Sequence, residues 1–146
     1  MFWKSIPFVF IFLAIFGVLQ VALAHAESPV TCAVCGMEMK PGARASFESI
    51  RNEKPVYLYS YSCAHAFHSK YPDAPLFAFD WDTGSKIDVK SASFLVKSKN
   101  VLKELEFGMA PTVVAFSSEA LAKKHHDRLK DGEVVKGYEA LEKIFQ

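Results

Sequence analysis

From Ile6 to Leu19 the chain is almost wholly apolar, whereas beyond Ala26 apolar and polar positions interleave at short periods. The polypeptide therefore divides into a hydrophobic leader and a patterned remainder. In that remainder Ala45 to Arg51 and Val56 to Tyr61 are rich in aromatic and β-branched residues, with Asn52-Glu53-Lys54-Pro55 between them. This pattern predicts two strands joined by a hairpin turn. Ser62 is expected to cap a short helix over Cys63 to Lys70, which places Cys63, Ala66 and Phe67 on a buried face and His65 and His68 on the opposite side. Tyr71-Pro72 ends it. Leu76 to Trp81 reads as an apolar strand, and Asp82-Thr83-Gly84-Ser85 turns the chain into a further strand over Ile87 to Val89.

The second half repeats this order of elements. Ala92 to Val96 and Thr112 to Phe116 are predicted strands, a helix runs from Ser118 to Leu129 and ends at Gly132, Glu133 to Lys136 is the last strand, and Glu139 to Phe145 closes as a helical turn. The expected fold is thus α+β, two strand-strand-helix-strand (ββαβ) units packed as one small domain, with halves at 27–86 and 87–146. The connection from Lys97 to Pro111 is long and charged, and connections of that length in small domains often carry function.

The leader changes the picture of compartment. Lys4 gives a basic start, and Val21-Ala22-Leu23-Ala24-His25-Ala26 ends in small residues at a spacing suited to signal peptidase. Residues 1–26 are read as a cleaved export signal and the mature chain as periplasmic; contact with a membrane is expected only through this segment if it is retained. Cys32 lacks the preceding pattern of a lipid-attachment site. About 120 residues remain, enough for one domain with a hydrophobic core. Without Lys4, 16 basic residues face 16 acidic ones. This balance gives no electrostatic case for nucleic acid.

The candidate chemistry is sulfur. Thr31-Cys32-Ala33-Val34-Cys35-Gly36-Met37-Glu38-Met39 gathers two cysteines and two methionines in one short run. Thiolates and thioethers favour Cu(I), and methionine is an uncommon zinc ligand. An extended Cys35-Gly36-Met37 would point both sulfurs to one side, with Met39 following. The chain's three cysteines are an odd number for an exported protein, so a disulfide would leave one thiol over unless a metal protects them. Cys32 and Cys35 form a C-x-x-C pair, a spacing that serves disulfide exchange, metal binding or a structural disulfide alike. Exchange is disfavoured by Gly36 and Pro41-Gly42, which prevent the helix that follows a thioredoxin-like motif. Zinc would need Cys63 together with His65 or His68, and the helix turns them apart.

Cys63, in a first helical turn, is a ligand or a core thiol, since the helix dipole lowers its pKa and burial raises it. Met109 lies in a loop among small residues and Pro111, as a ligand or as core filler. His125-His126 diverge at the lysine-rich end of a helix and read as a solvated helix terminus. No nucleophile-base triad, phosphate loop or carboxylate pair is visible, so the reading is a binding protein and not an enzyme.

Taken together, Cys35-Gly36-Met37 near the mature start, the run Asp88-Val89-Lys90-Ser91-Ala92-Ser93-Phe94-Leu95-Val96, the turn Gly108-Met109-Ala110-Pro111 and the stretch Ala115-Phe116-Ser117-Ser118-Glu119-Ala120 resemble the NosL family. These are copper-binding accessory proteins of nitrous oxide reductase. The resemblance spans nearly all of the mature chain and implies two ββαβ units, bound Cu(I), Cys35 and Met37 as the family's Cys-x-Met pair, and Met109 as the methionine of its glycine-flanked turn. It also implies delivery of copper to nitrous oxide reductase or a related exported cuproenzyme. Cys32, Cys63 and Met39 are further candidate ligands. The chain departs from the family in lacking a lipid-attachment cysteine, in having Cys32, and in a methionine turn poorer in glycine. Residues 31–72 are also similar to TRASH and YHS metal-binding modules, with Ala66 and Phe67 where those modules have a second helical cysteine.

Overall fold

The computed structural model describes residues 27–105 and 111–146. The expected signal segment up to Ala26, and Met109 with its turn, lie outside them. A short hairpin of β1 (Val30–Thr31) and β2 (Glu38–Met39) precedes a four-stranded antiparallel sheet. That sheet contains β3 (Phe47–Arg51), β4 (Lys54–Leu58), β5 (Leu76–Phe79) and β6 (Lys86–Asp88), in the order β4-β3-β5-β6. Helix α1 (Tyr61–Lys70) connects β4 to β5. A second sheet, in the order β8-β7-β9, is built from β7 (Ser93–Val96), β8 (Val113–Phe116) and β9 (Glu133–Lys136), with α2 (Lys99–Glu104) before β8, α3 (Glu119–Leu129) before β9, and α4 (Tyr138–Phe145) last.

The fold is α+β, and the repeated order of elements is a repeated topology. In each sheet the first strand of a unit lies between the second strand and the strand that follows the helix, and all pairings are antiparallel. The chain leaves the first sheet after β6, since Asp88 still pairs with Phe77. The two sheets meet where the bridge Asp80↔Ala115 runs parallel and the Trp81 N–H donates to the Ala115 carbonyl at 2.8 Å.

Alternation explains the core. Phe94, Val96, Val113, Ala115 and Val135 share a cluster with Phe47, Leu58 and Ala78 of the first sheet, with Cys63, Ala64 and Phe67 of α1, and with Tyr138 and Leu141 of α4. Leu95, Val114 and Phe116 belong instead to a second cluster with Trp81, Val101 of α2 and Ala122 of α3. The second sheet is covered on both faces, so all four residues of β7 and of β8 are buried, and their sequences run apolar almost without a break. The shared first cluster makes one domain of the two units.

Local chemistry sets several boundaries differently from the sequence reading. The hairpin turn is two residues long, Asn52-Glu53, both with positive φ (51° and 61°). That is the twist-matching turn of a tight hairpin, and it places Pro55 within β4, opposite Ile50. Because β4 is an edge strand, its missing N–H costs nothing there. Helix α1 begins two residues earlier than expected: Ser60, not Ser62, is its cap, and its hydroxyl accepts the Cys63 N–H at 3.5 Å. The buried face is consequently Tyr61, Cys63, Ala64 and Phe67, and Ala66 is exposed. In the connection from Lys97, Ser98 caps α2, its hydroxyl accepting the Val101 N–H at 3.0 Å and donating to Asp131, which also accepts the N–H groups of Lys99 and Asn100, so a helix stands where only a loop was expected.

Candidate metal centre

The β1–β2 hairpin carries its cysteines on a tight loop. Cys32 N–H donates to the Met37 carbonyl at 2.9 Å, continuing the ladder past Thr31↔Glu38, and Gly36 N–H returns to the Cys32 carbonyl at 3.0 Å. Gly36 sits at φ +74°, a left-handed turn that glycine adopts without strain. Cys35-Gly36-Met37 is therefore not extended, and the expectation of two sulfurs aligned along a strand is replaced by a turn that folds Cys35 back toward Cys32.

The loop is tied to the end of β4. Ala33 N–H donates to the Tyr57 carbonyl at 2.9 Å, and two backbone N–H groups, from Tyr59 at 3.3 Å and from Val34 at 3.5 Å, point at Cys32 Sγ. One residue after Tyr59 the Ser60 cap starts α1, and the first turn of that helix brings in Cys63. The Sγ atoms of Cys32, Cys35 and Cys63 all lie within 4.8 Å of one another. Tetrahedral or trigonal sulfur shells with metal–sulfur bonds of about 2.3 Å need sulfurs roughly 4 Å apart, so small side-chain adjustments close this group around one ion. All three thiols are free of disulfides.

Their environments differ. Cys32 is 2% exposed and Cys63 4% exposed, whereas Cys35 is open to solvent. Burial raises the Cys32 thiol, but backbone N–H groups of Cys35, Tyr59 and Val34 and the Cys35 side chain together outweigh it, and the net shift is downward. Burial pushes Cys63 up to about 11; the Ser60 hydroxyl opposes this, and the neighbouring Cys35 and Cys32 add to it. The helix dipole thus loses to desolvation at Cys63. Of the two buried thiols, Cys32, held by N–H donors, loses its proton before Cys63, which keeps its own until an ion displaces it.

The other candidate residues are placed as follows. Met37 is 41% exposed at the mouth of the loop, beside Val34 at 45%. Met39 is buried and lines a cavity of about 160 Å³ with Arg44, Tyr59, Glu104 and Leu105. His65 stacks on Tyr61 and faces Glu142 at 3.3 Å, and His68 packs edge-on against Tyr138, so neither imidazole joins the sulfurs. His125 and His126 do diverge: His125 meets Asp82 at 2.8 Å and His126 meets Asp127 at 3.1 Å. Among the described residues no histidine or carboxylate is grouped with the three thiols.

The sequence identified the C-x-x-C pair and left Cys63 undecided between ligand and core. The signal that resolves it is Ser60 three residues before Cys63, which starts the helix so that its first turn faces the hairpin. No protein-family model matches the chain, and no curated protein matches it either.

Proposed function

We propose that this chain is an exported Cu(I)-binding metallochaperone that catalyses no reaction and delivers copper to nitrous oxide reductase or a related exported cuproenzyme. The observation that carries the reading is the convergence of Cys32, Cys35 and Cys63 from a hairpin loop and a helix onto one point. Three soft thiolates complete a trigonal shell for Cu(I). A structural zinc site takes four protein ligands, and no nitrogen or oxygen donor accompanies the three sulfurs among the described residues. A three-coordinate ion is also one that a recipient can approach. The hydrophobic leader, the Cys35-Gly36-Met37 motif and the NosL resemblance supply the periplasmic setting and the client. Met37, exposed beside Cys35, adds a thioether for an ion in transit, and the NosL resemblance implies Met109 as a further transient thioether.

A thiol-disulfide oxidoreductase using Cys32 and Cys35 fits the geometry less well. The thiol whose pKa is lowered is the buried Cys32, and among the described residues the exposed Cys35 has no comparable set of N–H donors. Reactive cysteines combine thiolate character with access, and here the two are separated.

Anaerobic titration with Cu(I) and with Zn(II) against competing chelators tests the proposal in wild type and in Cys32→Ser, Cys63→Ser, Met37→Leu and Met109→Leu. The expected outcome is strong Cu(I) preference, a large loss of affinity in either cysteine variant and a smaller loss in the methionine variants. Tighter Zn(II) than Cu(I) binding, or insulin reduction abolished by Cys35→Ser, would replace it with the zinc or the redox reading.

A further inference from the structure

The three sulfurs are not equivalent, and their inequality gives the site a direction. Cys32 lies beneath the hairpin, held by the N–H groups of Tyr59 and Val34. Cys63 is fixed by the first turn of α1 and accepts the Ser60 hydroxyl at 3.6 Å. Both are at least nineteen-twentieths buried, Cys32 at 2% and Cys63 at 4% exposure. Cys35 stands on the solvent side of the loop, between exposed Val34 and exposed Met37. A sulfur arriving from another molecule meets the ion from that side, since the opposite side is closed by β4 and α1.

Resting on the three-thiolate Cu(I) reading, we infer that Cys35 is the exchange ligand: an incoming thiol displaces it from the ion while Cys32 and Cys63 hold on. The step balances without redox chemistry. The incoming thiol loses its proton to solvent as its sulfur–copper bond forms, giving a transient four-coordinate ion. The Cys35–copper bond then breaks, and the freed Cys35 thiolate takes up a proton from solvent. Copper stays monovalent, and the number of sulfur–copper bonds is the same before and after. A second recipient thiol then gives its proton to solvent and bonds to the ion, the Cys32 and Cys63 bonds break, and those two thiolates take up protons, leaving two-coordinate Cu(I) on the recipient. The recipient is accordingly a protein that presents a cysteine on a protruding edge able to reach the hairpin tip.

The test uses the full-length chain loaded without oxygen with one equivalent of Cu(I), and glutathione as the incoming thiol. Native mass spectrometry counts the copper on the protein, and short pulses of iodoacetamide, mapped by peptide mass spectrometry, identify the freed cysteine. All three cysteines should be protected in the absence of glutathione. As glutathione is added, alkylation of Cys35 should rise in proportion to its concentration and run at least tenfold ahead of Cys32 and Cys63 while copper is still bound. Release of Cys32 or Cys63 first, or of all three together, overturns the inference and leaves the three-thiolate site standing. Alkylation of Cys35 at its metal-free rate without glutathione shows that it is not a ligand and overturns both. A chain that takes up no Cu(I) overturns the proposed function and the inference with it.

Discussion

The backbone N–H of Tyr59 points at Cys32 Sγ from 3.3 Å, across 27 positions of sequence. This contact joins the hairpin loop to the end of β4, one residue before the cap of the helix that supplies Cys63, so the strand terminus fixes two of the three sulfurs at once.

Thiolate formation should reflect the difference between these two sulfurs. In metal-free protein the ultraviolet absorbance of thiolate should rise first below the ordinary thiol range near 9 and last at about 11. Cys32→Ala should remove the early rise and Cys63→Ala the late one, as apparent values of a coupled group. A single transition at the ordinary thiol position in wild type would show that the N–H donors and the burial have no effect.

Stability should follow. The folded Cys63 thiol binds its proton more tightly than the unfolded one, so its contribution is complete below about 9 and is lost as pH rises through about 11. Tyr61, pushed up to about 12 chiefly by burial and also by Glu142, acts in the same direction above its ordinary range. Urea midpoints of the metal-free protein should therefore fall from pH 9 to 11, and Cys63→Ala should flatten that fall by on the order of 2 kcal/mol. An equal slope in the variant would mean that Cys63 is not protonated in the folded state over this range.

Asp80 joins the two units. It is fully buried; one carboxylate oxygen accepts the N–H groups of Asp82 and Thr83 and the Thr83 hydroxyl, and the other accepts the Ser117 N–H at 2.6 Å. Burial raises its pKa, but the donors from Thr83 and Ser117 outweigh it and the net shift is downward. The stabilisation is present above the ordinary aspartate range and is lost as pH falls through the lowered value. Asp80→Asn has one acceptor oxygen in place of two and sets an amide NH₂ against an N–H donor; it should cost about 2–4 kcal/mol at pH 7 and less as pH falls. A loss independent of pH, measured by denaturant unfolding, would deny the carboxylate its charge.

How much of this was legible depended on whether the cause was local. The strands over β7, β8 and β9, the helix from Ser118 and the repeated order of units followed from apolar runs, caps and turn residues that act within a few positions. The position of the α1 start was not legible, because Ser60 and Ser62 are both competent caps and the choice is made by burying Tyr61 against Phe47, Tyr138 and Phe145. Helix α2, capped by Ser98, was not anticipated because Asp131, the carboxylate that holds this cap and the first two N–H groups, lies more than thirty residues away. At the site, the C-x-x-C pairing of Cys32 and Cys35 was visible, but its spacing serves metal binding, disulfide exchange and a structural disulfide alike. Cys63 was not resolved, since its approach to them depends on the contact of Tyr57 and Tyr59 with the hairpin. The alignment expected for Cys35 and Met37 assumed extended backbone where Gly36 makes a turn.

Two glycines with similar dihedral angles should respond differently to alanine. At Gly132, φ +88°, an added Cβ would meet the Val96 carbonyl oxygen at 2.7 Å, whereas at Gly36, φ +74°, it meets nothing within 4 Å. Gly36→Ala should cost only the left-handed strain, about 1 kcal/mol, and keep the metal site. Gly132→Ala should cost about 2–4 kcal/mol, as backbone must move. Equal melting temperatures for the two variants would contradict the packing at the end of α3.

X-ray absorption at the copper edge of the anaerobically loaded protein tests the three-sulfur claim most directly. The account predicts three sulfur scatterers and no nitrogen or oxygen in wild type, two sulfurs in Cys63→Ser, and a matching loss of Cu(I) affinity on the order of a hundredfold, equivalent to about 3 kcal/mol. A shell containing imidazole nitrogen, or a spectrum and affinity unchanged by Cys63→Ser, would contradict it.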